Sequence, residues 1–507
     1  MSTAISTAAS PATFVGLLPW VLLVGYGVVL LVLAPAARDA AGFYEGRDAR
    51  GREPTLGFLF GSLFIAWIFA KSVTNAANLG ATFGMPGAVA YAAYWLSIPV
   101  AGLVILGLRS RFGARTLPAW LAQRYGRGAA ATFMLAIFIR LYNEVWSNTA
   151  VIGSYFGAKG SVSYYAAALA FTALTLAYTL KGGLRTSIWT DAIQAAVFAV
   201  FLALVLFLVV PRAGTTAGGA AGVGRLLGAG SWTLAGGVDL LLVALLQSLS
   251  YPFHDPVLTD RAFLADAKTT RRAFFMAGGF GALSIALFGL VGVSAFVAGT
   301  PVHDDAPRVV AAALGSGALV LVNVVMLTSA GSTIDSAFSS TSKAVSADLP
   351  ALFGRDRRVS LGRAAMVGVA IFGNIPLFLG AGILKATTIS GTMVLGLAPI
   401  FILGLFVDAP PLSFHLAFWT GIVVGLLELL GLVPHALTIG DGTYATLLGV
   451  NLWGLVAATT LWIAPVAVRA ATKRFAAVPP DDAGVADRGA TLTVRSTPRR
   501  AADNSAR

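Results

Sequence analysis

A stripe of hydroxyl side chains runs through one of the most apolar parts of the sequence. The stretch "GSTIDSAFSSTSK" (331–343) follows "ALVLVNVVMLTSA" (318–330), which predicts a membrane helix. Its hydroxyls recur at steps of three and four, which puts them on one helix face: Ser329, Ser332, Thr333, Ser336, Ser340. A single hydroxyl of this kind often bonds back to its own helix or to a neighbouring one. A whole stripe favours a hydrophilic path or a cation site, because hard cations prefer oxygen ligands.

Two carboxylates are predicted to lie at membrane depth. Asp335 borders the hydroxyl stripe, and Asp191 follows the basic start of "KGGLRTSIWTDAIQ" (181–194). An acid at that depth is a candidate for function. Asp191 could instead pair with an interfacial arginine. Asp335 could titrate, line a water-filled cavity or pair with a basic residue, and the sequence leaves these open.

Polar residues interrupt two further apolar stretches. They are "AKSVTNAANLGATFGMPG" (70–87) and "QSLSYPFHDPVLTDR" (247–261). Paired broken helices predict inverted repeats with a binding site near the bilayer midplane, although Pro and Gly also kink ordinary membrane helices. Candidates for solute contact in these stretches are Asn75, Asn78 and Asp255.

A charged pair occurs in "IRLYNEVWSN" (139–148). Arg140 and Glu144 are four residues apart and therefore neighbours on one helix face. They predict either an internal ion pair or a polar wall of the solute cavity.

The composition indicates that these elements lie in a lipid bilayer. Of 507 residues, 57% are hydrophobic and only 11% charged, which indicates an integral membrane protein in a lipid bilayer. The net charge of +13 does not indicate nucleic-acid binding, because the basic residues sit in short segments between apolar runs. The absence of cysteine excludes disulfides and thiolate chemistry.

Thirteen spans are predicted from the apolar runs. They lie near 14–35, 57–80, 86–108, 129–156, 162–180, 188–210, 236–254, 273–298, 309–346, 361–380, 385–407, 411–432 and 447–469. With the N-terminus outside, almost every basic residue falls in an inside loop, including Arg185, Arg261 and Lys343. The first helix (within 1–40) has no preceding basic residue and is predicted to stay uncleaved. The tail, 475–507, is predicted to be disordered and cytoplasmic.

Several motifs together resemble the sodium/solute symporter family. "GGLRTSIWTDAIQ" (182–194) is similar to its GG-x-x-x-x-x-WTD-x-x-Q signature, and "SAGSTIDS" (329–336) resembles its cation motif. "GATFGMPGAV" (80–89) is similar to the end of its first core helix, and "SGTMVLGLAPIFILGLF" (390–406) to its tenth. The likeness runs from about 43 to 470.

The resemblance implies an all-α LeuT-type fold of about 13 helices. Its inverted repeats would be 57–210 and 236–407, preceded by one helix and followed by two in 411–469. The helix number and outward N-terminus match the bacterial proline-symporter branch, which implies the plasma membrane of a bacterium.

The resemblance also implies ligands for sodium. Thr74, Ala77 and Ser329 would give backbone carbonyls to a main site, and Ser332 and Thr333 would give hydroxyls. A second site, found in some members, would use Asp191, Thr333 and Ser336.

Solute positions carry over less closely. Tyr251 matches the inner-gate tyrosine of the family's sugar transporters, and Ser248 and Arg140 fall at sugar-contact positions on a looser alignment. Arg140 stands where those transporters carry a neutral amide, and Ala76 replaces the acidic residue of the proline symporters. The solute is therefore left unassigned.

These residues predict a sodium-coupled symporter rather than an enzyme, importing a small organic solute by alternating access. No obligate protein partner is evident. The alternatives are a proton-coupled or sodium-independent transporter of the same fold, with Lys71 near the sodium position and Asp191 or Asp335 titrating, or a transporter-like sensory protein.

Overall fold

The computed structural model of the chain describes residues 11–211, 222–302, 304–379 and 390–476. The chain divides into a large unit, residues 1–466, and a small one, residues 467–507. All the regular elements among the described residues are helical. The all-α fold class predicted from the sequence is confirmed. The tail predicted to be disordered lies, from residue 477 on, outside the described residues.

The principal helices in chain order are α1 (Pro11–Leu33), α2 (Leu56–Ala66), α3 (Ala70–Phe83), α4 (Met85–Phe112), α5 (Arg127–Ser154), α6 (Val162–Gly182), α7 (Leu184–Val209), α8 (Leu234–Gln247), α9 (Ala267–Ala298), α10 (Ser316–Lys343), α11 (Val359–Phe372), α12 (Leu397–Ile402), α13 (Pro411–Leu429) and α14 (Ala445–Ala476). Shorter helices connect them at Ala40–Glu45, Leu117–Tyr125, Val223–Leu227, Pro256–Thr259, Ala306–Leu314 and Leu349–Leu352.

Among the described residues, ten helices are long and apolar enough to cross a membrane, or eleven if the bent pair α2–α3 counts as one span. The predicted number of thirteen is not confirmed. The seventh predicted span, 236–254, contains most of the shorter helix α8, which ends at Gln247, and a 3₁₀ turn at Tyr251–His254. The eleventh, 385–407, begins outside the described residues, and α12 within it has 6 residues. A helix of about 20 residues is needed to cross hydrocarbon, and neither α8 nor α12 reaches that length alone.

The first core helix is broken between α2 and α3. The two helices meet at an angle of 56° around residues 67–69, where Phe69 is extended (φ −66°, ψ 141°) and begins α3. The sequence-based prediction of an interruption within 70–87 was wrong in position, because residues 70–83 are regular helix. Polar side chains of α3 face a cavity. The break itself consists of Trp67, Ile68 and Phe69, and none of them is a glycine or a proline that would have predicted a break.

The second predicted interruption is confirmed. Helix α8 ends at Gln247, a single 3₁₀ turn spans Tyr251–His254, and the short helix Pro256–Thr259 follows. Prolines at the start of each piece suit this arrangement, since proline is tolerated in the first turn of a helix. The correspondence between residues 57–210 and 236–407 as inverted repeats stays a prediction.

Helix α9 packs against the broken helix through glycine. A methyl group at position 292 would overlap the backbone carbonyl of Ala77 on α3, and one at Gly80 would lie 2.5 Å from the carbonyl of Gly289. Small residues allow membrane helices to approach at backbone distance. This contact holds α3 in place while leaving its polar face free.

We expect Gly292→Ala to destabilise the protein by about 1–3 kcal/mol, because the added methyl group pushes α9 away from α3. The control is Gly279→Ala on the same helix, where a methyl group meets nothing within 4 Å. Thermal unfolding of both purified variants in detergent checks this prediction. Equal unfolding temperatures for the two variants would contradict the packing described here.

Candidate functional site

Four charged side chains meet beneath the broken helix. Lys71 Nζ lies 2.7 Å from Glu144 Oε1, and Arg140 contacts the same carboxylate. Arg140 Nη2 also lies 2.7 Å from Asp255 Oδ2, which accepts a hydrogen bond from Trp67 Nε1 at 3.0 Å. All four charged side chains have 0% exposure. We name Lys71, Arg140, Glu144 and Asp255 the charge cluster.

The charge cluster is balanced, with two cations and two anions. An unpaired charge in a dry interior is very costly, whereas a paired and hydrogen-bonded one is tolerated. Further contacts hold its members in place: Asn148 donates to Glu144 Oε2 at 3.0 Å, and the Arg140 guanidinium lies 5.1 Å from the centre of the Tyr251 ring. The sequence-based alternatives for Arg140 and Glu144 thus resolve in favour of an internal ion pair, extended by Lys71 and Asp255.

A cavity of about 920 Å³ lies on one side of the charge cluster. Helix α3 contributes Lys71, Thr74, Asn75 and Asn78 to its wall, α5 contributes Trp146, and the far rim includes Lys159, Asp305, Arg308 and Tyr444. The volume is in the range typical of small-molecule sites. Lys71 is the member of the charge cluster that reaches the wall.

The predicted solute residues divide into two groups. Asn75 and Asn78 line the cavity, where Asn75 donates to the Tyr91 hydroxyl at 3.1 Å and Asn78 accepts from the Ala306 amide at 2.8 Å. Ser248 and Tyr251 do not line the cavity wall, and Ser248 donates to the Leu245 carbonyl at 2.7 Å. The structure therefore brings the asparagines to the cavity and leaves Ser248 and Tyr251 buried away from it.

A cluster of oxygen atoms joins the helix break to α10. The Ala66 carbonyl lies at the end of α2, and the break displaces the backbone amide that would bond to it in a continuous helix. Thr333 Oγ1 lies 3.5 Å from this carbonyl oxygen. Thr333 Oγ1 also donates to the Ser329 carbonyl at 3.0 Å, and Ser332 donates to Asp191 Oδ1. We name Ala66, Ser329, Ser332, Thr333 and Asp191 the oxygen cluster.

Thr74 and Ala77, expected to give carbonyls to this site, lie elsewhere. Both are within the regular helix α3, and Thr74 Oγ1 donates to the Ala70 carbonyl at 3.0 Å. Thr74 faces the cavity, and the Ala77 carbonyl lies against Gly292 of α9. The resemblance places the carbonyl ligands within 70–87, whereas the helix break lies at residues 67–69. The residue that meets Thr333 is Ala66.

A second polar network lies next to the oxygen cluster. Asp191 accepts from Ser62 at 2.5 Å and from the Arg261 guanidinium at 3.0 Å. The same nitrogen of Arg261 donates to Ser336 Oγ at 2.7 Å. The three residues expected to form a second sodium site are thus separated by role: Thr333 faces Ala66, whereas Asp191 and Ser336 contact an arginine.

Asp335 has a different environment. Its carboxylate accepts hydrogen bonds from Ser187 at 2.8 Å, Thr190 at 2.9 Å and Tyr178 at 3.0 Å. These partners are all hydroxyl groups, and Ser187 links the carboxylate to Ser336 at 2.9 Å. The structure places Asp335 in a hydrogen-bonded interior between α6, α7 and α10.

Sequence reasoning missed several residues of these networks, among them Ala66, Ser62 and Arg261. Ala66 gives only its backbone, so its side chain carries no signal. Ser62 stands in the apolar run of α2, where a lone serine is unremarkable. Arg261 counted as an inside-loop charge, yet it has 0% exposure. The local sequence gives no signal for its contact with Asp191, because only the folded chain brings the two side chains together.

Comparison with known proteins supports the resemblance. Residues 55–225 match the family model of the sodium:solute symporter family. The mouse sodium/myo-inositol cotransporter is 28% identical over 158 residues, 30% of this chain and 21% of the relative. The zebrafish sodium/glucose cotransporter 4 is 24% identical over 180 residues, 35% of this chain and 27% of the relative. The matched stretches span between a fifth and a third of those relatives' length.

Two solved structures share the architecture. A Na⁺-coupled sialic acid symporter in a substrate-bound outward-open state superimposes with a TM-score of 0.67 at 16% identity, covering 89% of this chain and 98% of that one. Mhp1, a nucleobase-cation-symport-1 family transporter in a closed conformation with bromovinylhydantoin bound, gives 0.53 at 15% identity, covering 85% and 96%. At these identities the likeness establishes the fold.

The fold defines the class: this is a multi-pass membrane protein with the LeuT-type architecture of secondary transporters. The resemblance to the sodium/solute symporter family is confirmed by the match over residues 55–225.

Proposed function

We propose that this protein is a sodium-coupled symporter that imports a small organic solute by alternating access. The observation that carries the proposal is the contact between the Ala66 carbonyl, freed by the helix break, and Thr333 of α10. A cation held there would connect the end of α2 to α10, two elements that would move relative to each other during alternating access.

The oxygen cluster fits sodium by its chemistry. It combines the Ala66 and Ser329 carbonyls with the hydroxyls of Ser332 and Thr333, while Asp191 accepts the hydrogen bond of Ser332 and pairs with Arg261. Hard monovalent cations suit such oxygen sets. In the described part of the chain, no group of three or more His, Cys, Asp or Glu side chains is placed to hold a metal ion. When bound, sodium would supply the positive charge that holds these oxygens together.

Coupling follows from the two sites sharing one broken helix. The cavity wall belongs to α3, and the oxygen cluster begins at the end of α2, separated from α3 only by the break at residues 67–69. Residues that fix the angle between α2 and α3 therefore affect both sites. Two ligands that favour the same conformation assist each other's binding, by equal amounts.

The charge balance supports a solute with no net charge. All four members of the charge cluster are paired, so a neutral polar or zwitterionic solute can bind at Lys71 without leaving an unpaired charge. The neighbouring Thr74, Asn75 and Asn78 offer hydroxyl and amide groups to it. Relatives named as cotransporters of myo-inositol and glucose agree with a neutral polar solute.

The distribution of basic residues supports the orientation. We place the N-terminus outside and the C-terminal tail in the cytoplasm of a bacterium, with the protein in its plasma membrane. The cavity then opens to the outside, because its lining includes Lys159 and Arg308, which this orientation places in outside loops. Asp191 and Arg261 lie on the cytoplasmic side of the cavity in this orientation.

The proposal is tested with purified protein in two assays. Thermal shift against amino acids, carboxylates, sugars and ureas, each with and without sodium, identifies the solute, since a ligand that binds the native state raises its stability. Uptake of that solute into proteoliposomes is then driven by an imposed sodium gradient or by an imposed proton gradient. We expect the sodium gradient to drive uptake. Uptake driven only by protons would establish the rival transporter class.

A further inference from the structure

Arg261 is buried among the residues that the family resemblance assigns to a second sodium ion. Its side chain has 0% exposure and follows the broken part of the chain after α8. One terminal nitrogen, Nη2, lies 3.0 Å from Asp191 Oδ2 and 2.7 Å from Ser336 Oγ. The Nε atom donates to Ser62 Oγ at 2.7 Å, and Nη1 donates to the Val257 carbonyl.

This arrangement does not fit a free ion at the second site. The oxygens of Asp191 and Ser336 already accept hydrogen bonds from one guanidinium nitrogen. A guanidinium stays charged at any physiological pH, so a sodium ion on the same oxygens would meet a fixed like charge. The third expected ligand, Thr333, donates to the Ser329 carbonyl at 3.0 Å and lies 3.5 Å from the Ala66 carbonyl, away from this arginine.

We propose that Arg261 is the built-in cation of the second site and that it locks the inner side of the transporter. Its guanidinium connects α2 through Ser62, α7 through Asp191 and α10 through Ser336. The protein therefore carries one sodium ion per cycle in place of two, and the inner side opens only after Arg261 leaves these oxygens. The ion count and the inner position of the lock rest on the proposed function, whereas the contacts that tie the three helices together do not.

A second bridge strengthens the lock. Asp260, the neighbour of Arg261, lies 2.8 Å from Lys343 at the end of α10, and Lys343 also lies 2.8 Å from Asp348. Ser340 lies on the same face of α10, between Ser336 and Lys343, with 2% exposure. Its hydroxyl has no partner within the described residues. Ser340 is thus a buried position on the face of α10 that carries both bridges, and we expect it to become reachable when they open.

Cysteine labelling tests the lock directly, because the chain contains no native cysteine. Ser340→Cys is the reporter, and a small thiol reagent is applied to purified protein in detergent. We expect Arg261→Met to speed labelling by about tenfold or more, since a hydrogen bond to a charged group is enough to shift an opening equilibrium by that factor. Labelling at the parental rate would overturn the proposal.

A matched double variant protects this test from misfolding. Arg261→Met leaves Asp191 buried without its arginine, whereas Arg261→Met with Asp191→Asn removes both charges. We expect the double variant to purify as a folded protein and to label as fast as the single one. Slow labelling in the double variant would count against the lock even if the single variant cannot be purified.

Counting bound ions tests the second half of the proposal. Equilibrium binding of radioactive sodium should give one saturable site per chain in the parent and two in Arg261→Met, where Asp191 is free to hold an ion. Two sites in the parent, or one in the variant, would overturn the assignment of Arg261 as the built-in cation. If no form of the protein binds sodium, the proposed function fails, and the labelling experiment alone decides whether Arg261 is a lock.

Discussion

Replacing Ser332 and Thr333 together by alanine is expected to abolish sodium-driven uptake while leaving folded protein in the membrane. The substitution removes two hydroxyls of the oxygen cluster, the one that meets the Ala66 carbonyl and the one that meets Asp191. Removing a residue that only hydrogen-bonds to a metal ligand already lowers metal affinity by about 10–100-fold. Loss of two direct ligands should therefore weaken sodium binding by about 100-fold or more.

The same helix offers a matched control. Ser329 takes part through its carbonyl, and its hydroxyl donates to the Val325 carbonyl of its own helix at 2.7 Å. We therefore expect Ser329→Ala to keep sodium-driven uptake near the parental level. Uptake into proteoliposomes over a series of sodium concentrations compares the two variants. An unchanged sodium dependence in Ser332→Ala with Thr333→Ala would remove the basis for placing sodium in the oxygen cluster.

The second large effect is expected from Arg140→Met. This residue pairs with Glu144 and Asp255 at once, and all three side chains have 0% exposure. Its removal leaves Glu144 with Lys71 but leaves Asp255 without a cation. Breaking a buried ion pair by removing one partner costs about 3–5 kcal/mol, so the variant should unfold at a much lower temperature and lose transport.

A double variant separates charge balance from packing. Arg140→Met with Asp255→Asn removes one cation and one anion, and the remaining Lys71–Glu144 pair, at 2.7 Å, is still neutral. We expect the double variant to recover most of the lost thermal stability. Thermal unfolding of the parent and of the two variants measures this. A double variant no more stable than Arg140→Met would show that Arg140 acts through its packing against Tyr251 and Phe69 instead.

The sequence alone predicted which side chains share a face of a single helix. The hydroxyls of α10 recur at helical steps, and the structure gives Ser332 and Thr333 partners outside their own helix, Asp191 and the Ala66 carbonyl. Arg140 and Glu144 form the ion pair that their spacing allows. Such local patterns depend only on helix geometry, which a single sequence contains.

The sequence did not predict the position of the first helix break. Polar and glycine residues in 70–87 suggested an interruption there, but polar side chains in a membrane helix also indicate a face turned to a cavity. The break consists of Trp67, Ile68 and Phe69, whose extended backbone at Phe69 follows from packing in the folded protein rather than from local preference. The sodium carbonyls were therefore expected at Thr74 and Ala77, whereas the carbonyl that lies near Thr333 is that of Ala66.

The surroundings of Arg261 could not be inferred for a related reason. The distribution of basic residues counts every arginine near a helix end as a loop charge, and this count does not distinguish an exposed arginine from a buried one. Arg261 and Asp191 are 70 residues apart in the chain, and their contact depends on how α7, α10 and the segment after α8 pack together.

Direct measurement of sodium binding to purified protein tests the central claim most closely. Radioactive sodium is titrated onto the parent, onto Ser332→Ala with Thr333→Ala, and onto Ser329→Ala, with potassium as the competing ion. We expect saturable sodium binding in the parent and in Ser329→Ala, and none in the double variant. Equal binding in all three proteins, or none in the parent, would contradict a sodium site between the helix break and α10.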